Sequence, residues 1–71
     1  MNIKPGDTFY MKHRIEKKIK YHIVAVIVDN NEDLIVYKWW SKPKQCWKYE
    51  ADLSYLFVID FEVGKYWWGS K

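Results

Sequence analysis

The stretch Tyr21-His22-Ile23-Val24-Ala25-Val26-Ile27-Val28 constrains the fold more than any other part of the chain. It is dense in β-branched residues and largely apolar on both of its alternating sides. Tyr21, Ile23, Ala25 and Ile27 fall on one side, and His22, Val24, Val26 and Val28 on the other. Such a segment is expected at the centre of a sheet that curls far enough to cover both faces. With 71 residues the chain has room for one domain, 1–71, and a multidomain enzyme is excluded. A core this small needs large side chains, and five Trp, six Tyr and three Phe supply them.

The neighbouring segments read as further strands. Pro5-Gly6-Asp7 is a turn signal that introduces a strand from Asp7 to Arg14. The mostly cationic residues Ile15 to Lys20 fit a solvated hairpin loop or frayed strand ends. Asp29-Asn30-Asn31-Glu32-Asp33 is a turn between antiparallel partners. A third strand runs from Leu34 to Trp40, with Leu34, Val36, Lys38 and Trp40 on one side and Ile35, Tyr37 and Trp39 on the other. Ser41-Lys42-Pro43-Lys44 breaks it. Gln45 to Tyr49 then forms a short returning strand that places Trp47 across from the end of the third. Between Glu50 and Phe57 the spacing of Leu53, Leu56 and Phe57 suggests one helical turn. Val58 to Val63 alternates like a half-exposed edge strand, and residues 64–71 form a sixth strand or a tail.

Five or six short antiparallel strands, with a helical turn before the last core strand, resemble an SH3-like or Tudor-like small β-barrel, and Lys4-Pro5-Gly6-Asp7-Thr8-Phe9 is similar to the start of many such barrels. The chain also resembles a small bacterial domain family of unknown function. The residues that carry this likeness are Phe9 or Tyr10, His13, Tyr21 to Val26, Val36-Tyr37, Trp47 and Phe57. The sequence departs from that family in having Lys48-Tyr49 where an Arg-Pro follows the Trp, and lysines where the family has a glycine turn. The resemblance implies a fold and no activity.

Little here suggests catalysis. Cys46, His13, His22 and the serines form no spacing known for a nucleophile and base, so the chain is read as not an enzyme and as holding no cofactor. Cys46 lies near Lys44 and Lys48, which would favour its thiolate, yet a lone cysteine in a strand is more often a small packing residue. Cys46 and the two histidines lack the paired spacings of zinc ligands, and Asp29, Glu32 and Asp33 lack the pattern of a calcium loop. A single cysteine excludes an intramolecular disulfide and points to a reducing, cytoplasmic location. The nearly apolar run Ile23 to Val28 is far short of the ~20 residues of a membrane span, and the first residues lack a signal peptide's apolar stretch. No membrane partner is expected.

Charge is uneven. Residues 1–48 hold ten Lys or Arg against five acids, and residues 49–71 two against four. Lys12 to Lys20 and Lys38 to Lys48 are the cationic stretches. In the hairpin of the third and fourth strands, Lys38, Lys42, Lys44 and Lys48 are interleaved with Trp39, Trp40, Trp47 and Tyr49. Ammonium groups neutralise phosphates and flat rings stack bases, so these eight residues are the candidate ligand site for nucleic acid or a nucleotide. Adjacent residues of a strand point to opposite faces, so one of Trp39 and Trp40, and one of Trp67 and Trp68, should be peripheral. A single arginine among twelve basic residues favours non-specific or single-stranded binding over base-specific reading. The acids Glu50, Asp52, Asp60 and Glu62 count against nucleic acid if they lie close by. The alternative is a protein-protein interaction module or homo-oligomer, with Tyr66, Trp67 and Trp68 at the interface. A phage- or mobile-element-encoded inhibitor that sequesters a host factor is one form of it.

Overall fold

Lys4-Pro5-Gly6-Asp7 closes a type II turn. Proline presets the second position and Gly6 takes the left-handed third one at φ 96°, so that the Asp7 N–H reaches the Lys4 carbonyl at 3.2 Å. The Asp7 carboxylate in turn accepts from the Lys4 N–H at 3.0 Å. The chain leaves this turn already paired, since the Ile23 N–H donates to the Asp7 carbonyl at 2.9 Å. In the computed structural model, which describes residues 2–17, 19–28 and 32–70, β1 (Thr8–Met11) follows, then a 3₁₀ helix (Lys12–Lys17) and β2 (Tyr21–Val28). β3 (Asp33–Ser41), β4 (Cys46–Leu53), α1 (Ser54–Glu62) and β5 (Tyr66–Ser70) complete the chain. All five strands join one antiparallel sheet in the order β4-β3-β2-β1-β5.

The mostly β architecture follows the sequence reading, with differences that have local causes. The first strand ends at Met11 and not Arg14; beyond it the Lys12 N–H bonds the Lys65 carbonyl at 2.8 Å and the cationic segment coils as the 3₁₀ helix. β2 does not keep one alternation. A register shift between Ile23 and Ala25 leaves Tyr21 and Ile23 on the inner face, moves Val26 to that face opposite Ile35, and sends Ala25 and Ile27 outward opposite Val36 and Leu34. β4 runs on past Tyr49 to Leu53, because the pairs Val36 with Ala51 and Leu34 with Leu53 continue its ladder. The segment Val58 to Val63, expected as an edge strand, lies mostly in α1. The helix is nine residues long where one turn was expected. The last strand is therefore the fifth, at Tyr66–Ser70. β4 and β5 are the two edges of the sheet, and no ladder joins them among the described residues. The turn expected at 29–33 falls largely on residues 29–31, outside the described residues.

A Schellman cap ends α1 where Gly64 adopts φ 82°. The Lys65 N–H reaches the Asp60 carbonyl at 2.8 Å and the Gly64 N–H the Phe61 carbonyl at 3.2 Å, which turns the chain back toward β5. The helix lays Phe57 and Phe61, one turn apart, on the inner face of the sheet. There they meet Phe9, which is wholly buried. Its ring lies 5.0 Å from Phe57, 5.2 Å from Tyr21, and 5.3 Å from both Tyr37 and Tyr66. Met11, Ile23 and Ile35 fill the rest of the core.

Tyr37 brings a hydroxyl into this apolar centre and satisfies it at the rim. Its oxygen lies 2.9 Å from Asp52 Oδ2 and 3.1 Å from Glu50 Oε2, so its one proton is shared between two acceptors. Burial, then the bond and charge of Asp52, drive the Tyr37 hydroxyl far above its ordinary value. Burial and the charge of Asp60 push Tyr66 up to about 12. Tyr21 is also raised by its burial, an effect the neighbouring Arg14 opposes.

Two expectations follow from this core. Truncation Phe9→Ala removes the ring that five others share, at a cost of about 3–5 kcal/mol. Folded domains hold only roughly 0.05–0.15 kcal/mol per residue, so this variant should lose a large share of its stability, and its urea midpoint by near-ultraviolet circular dichroism should fall well below that of Phe9→Leu. The raised tyrosines stay protonated in the fold when the unfolded chain begins to ionise near pH 10. Their contribution is therefore complete below pH 10 and is lost above it. Melting temperatures should fall from pH 9 to 11, and Tyr37→Phe should flatten that fall.

Candidate functional site

The β3–β4 ladder sorts the aromatic and basic side chains by face. Trp40 stands opposite Trp47 and Lys38 opposite Tyr49 on the outer face, whereas Trp39 stands opposite Lys48 on the inner one. The two adjacent tryptophans are thus split. Trp39 packs against the core with its ring 5.3 Å from Tyr21, and Trp40 remains 41% exposed. Trp67 and Trp68 divide in the same way. Trp68 stacks on Phe61 at 4.4 Å, and Trp67 faces out beside Tyr10 at 6.2 Å. Of the residues named for an interface, Tyr66 and Trp68 pack against the core and Trp67 lies at the surface.

At the end of the sheet where β3 turns into β4 there is a cleft of about 730 Å³. Three parts of the chain wall it. The 3₁₀ helix, the approach to β2 and the start of β2 supply Arg14, Ile19, Lys20 and His22; the end of β3 and its turn supply Trp39, Trp40, Ser41, Lys42 and Pro43; β4 supplies Trp47. The turn holds its shape because Gln45 accepts a left-handed φ of 52° and its side-chain amide donates to the Lys42 carbonyl at 2.7 Å. Arg14 is fixed twice. Its guanidinium lies 5.6 Å from the centre of the Trp39 ring, and Nη1 donates to the Tyr21 hydroxyl at 3.1 Å.

Of the eight ligand candidates from the sequence, Trp39, Trp40, Trp47 and Lys42 line this cleft. Lys38 does not, but its ammonium sits 4.4 Å above the Trp47 ring at the cleft's edge. Tyr49 lies one ladder pair further along the outer face, exposed. Lys44 is exposed in the turn, and Lys48 is on the opposite face from Trp47, so neither joins the lining. The sequence reading did not place Arg14, Lys20 or His22 here. The cationic run Lys12 to Lys20 was the signal, but only the coiling of the 3₁₀ helix turns Arg14 over Trp39.

His22 is the titratable centre of the cleft. It pairs with Lys38 across the β2–β3 ladder, and its ring meets Trp47 edge-on at 5.7 Å. Burial first, and then the charges of Lys20 and Lys38, lower its pKa from the ordinary 6.5. Cys46 lies half-buried opposite Ser41, and His13 is exposed on the 3₁₀ helix. Among the described residues, no group of three or more His, Cys, Asp or Glu side chains is placed to hold a metal ion. No helix among them is long and apolar enough to cross a membrane.

Because His22 takes a proton less readily folded than unfolded, its contribution to stability is complete above pH 6.5 and is lost as pH falls toward the folded pKa. A proton resonance titration of the imidazole should report a midpoint below 6.5, and Lys38→Ala should raise that midpoint. A midpoint at or above 6.5 in the unaltered chain would contradict the arrangement of cations around the ring.

Comparison of the chain with protein-family models, with curated proteins and with solved structures gives no match to any of them.

Proposed function

We propose that this chain is a non-enzymatic binding module that takes nucleic acid or a nucleotide in the cleft at the β3–β4 turn. One observation carries the reading: Arg14, Lys20 and Lys42 come from separate parts of the chain and converge around Trp39, Trp40 and Trp47. Cations at the rim neutralise phosphate, and indole rings between them offer stacking surfaces of ~1–3 kcal/mol per base. His22 adds a group whose protonation is disfavoured by burial and by the charges of Lys20 and Lys38, and would be favoured by an anion bound beside it. The sheet order β4-β3-β2-β1-β5, with β1 paired to the last strand and α1 placed before it, supports an SH3-like barrel as the fold that carries the site.

Two of the acids that would oppose such a ligand are already engaged elsewhere. Glu50 and Asp52 stand opposite Tyr37 and Ile35 on the inner face, and both are within hydrogen-bond distance of the Tyr37 hydroxyl. A predominance of lysine over arginine suits phosphate neutralisation more than reading of base edges.

Anisotropy of a labelled oligonucleotide across a salt series tests the proposal. Three phosphate contacts on a single strand correspond to a slope of log affinity against log salt of about −2. Lys42→Ala should make that slope shallower by about 0.7, the contribution of one contact. Failure to bind any strand or nucleotide at low salt would remove this function and leave the protein-partner reading.

A further inference from the structure

We infer that the ligand is a single strand of nucleic acid and not a free nucleotide, and that its track leaves the cleft and runs along the outer face of β3 and β4. This rests on the function proposed above and narrows its ligand. The register decides the layout. Trp40 with Trp47 and Lys38 with Tyr49 are successive outward pairs, so they are set apart by about 7 Å, two residues of rise along the strands. Trp40 and Trp47 are each 41% exposed and Tyr49 59%, which leaves a row of aromatic surface in water where a lone domain gains nothing from it.

That row is continuous with the cleft, because Trp47 belongs to both. It lines the cleft and carries the Lys38 ammonium over its ring. Lys38 supplies a cation midway along the track, where a backbone phosphate between two bases would pass. The outer positions of β2, β3 and β4 hold no carboxylate that would repel a polyanion. Among the described residues β4 is an edge of the sheet, and no further strand flanks the row on that side. A mononucleotide held among Arg14, Lys20, Lys42 and the indoles has no use for Tyr49. A strand of several nucleotides does, since successive bases can occupy successive rings.

Quenching of tryptophan fluorescence by thymidine monophosphate and by thymidylate di-, tetra- and octanucleotides tests the track. A matching uridylate series tells DNA from RNA. Affinity should rise steeply from the monophosphate to the tetranucleotide in at least one series. Tyr49→Ala should lower tetranucleotide affinity about tenfold, as expected for one stacked base, and leave the monophosphate unchanged. Tyr49→Phe, which keeps the ring, should restore it. Tyr49 is exposed, so far-ultraviolet circular dichroism should be the same for all three chains. Equal affinity for monophosphate and tetranucleotide, or a Tyr49→Ala effect of the same size on both, would overturn the track while leaving the cleft in place. Absence of binding across every length would remove the cleft function as well.

Discussion

One benzene ring organises this molecule. Phe9 sits at the second position of the shortest strand, wholly buried, and is in ring contact with partners from β2, β3, α1 and β5. A domain of this length has too few residues for layered aliphatic packing, and the aromatic cluster concentrates buried area in few side chains. The rings meet in stacked, tilted and edge-on pairs, so each orientation limits the next. Tyr37 and Tyr66 extend the cluster toward polar groups at its rim, which lets tyrosines serve as core residues without stranding their hydroxyls.

The inner face is saturated with rings, and that determines what the outer face can be. Strand geometry sends every second residue away from Phe9, so a sequence with paired tryptophans places half of them in water. Trp39 and Trp68 complete the core; Trp40 and Trp67 are left outside it. In the β3–β4 hairpin the outward residues are accompanied by cations, from Lys38 on the ladder and from Arg14, Lys20 and Lys42 around the end of the sheet. The exposed aromatic and cationic surface is thereby a product of the same alternation that builds the core.

How much of this could be read beforehand depended on whether neighbours in sequence stay neighbours in space. Leu34 to Trp40 was legible because a regular strand carries its own two-residue code, and the split of Trp39 from Trp40 followed from it. Val24 broke the same code in β2, since a bulge has no signature in a run of β-branched residues and reverses the side of everything after it. Val58 to Val63 alternates like a strand, yet Phe57 and Phe61 are the informative pair; a short apolar segment fits both periods until packing chooses. Lys42 and the indoles of the hairpin were found because one turn joins them. Arg14, Lys20 and His22 reach the same cleft through the 3₁₀ helix and the β2–β3 ladder, which no local pattern encodes.

The shared proton of Tyr37 has an effect beyond the core it finishes. Its two acceptors, Glu50 and Asp52, stand on the helix side of the sheet, the face opposite Lys38, Trp40 and Trp47. Carboxylates on one face and the Lys38 ammonium on the other set up a field across the hairpin, which acts at distances where no contact has formed. If the cleft takes a polyanion as proposed, that field would begin to orient the domain within a Debye length, about 10 Å at 0.1 M salt.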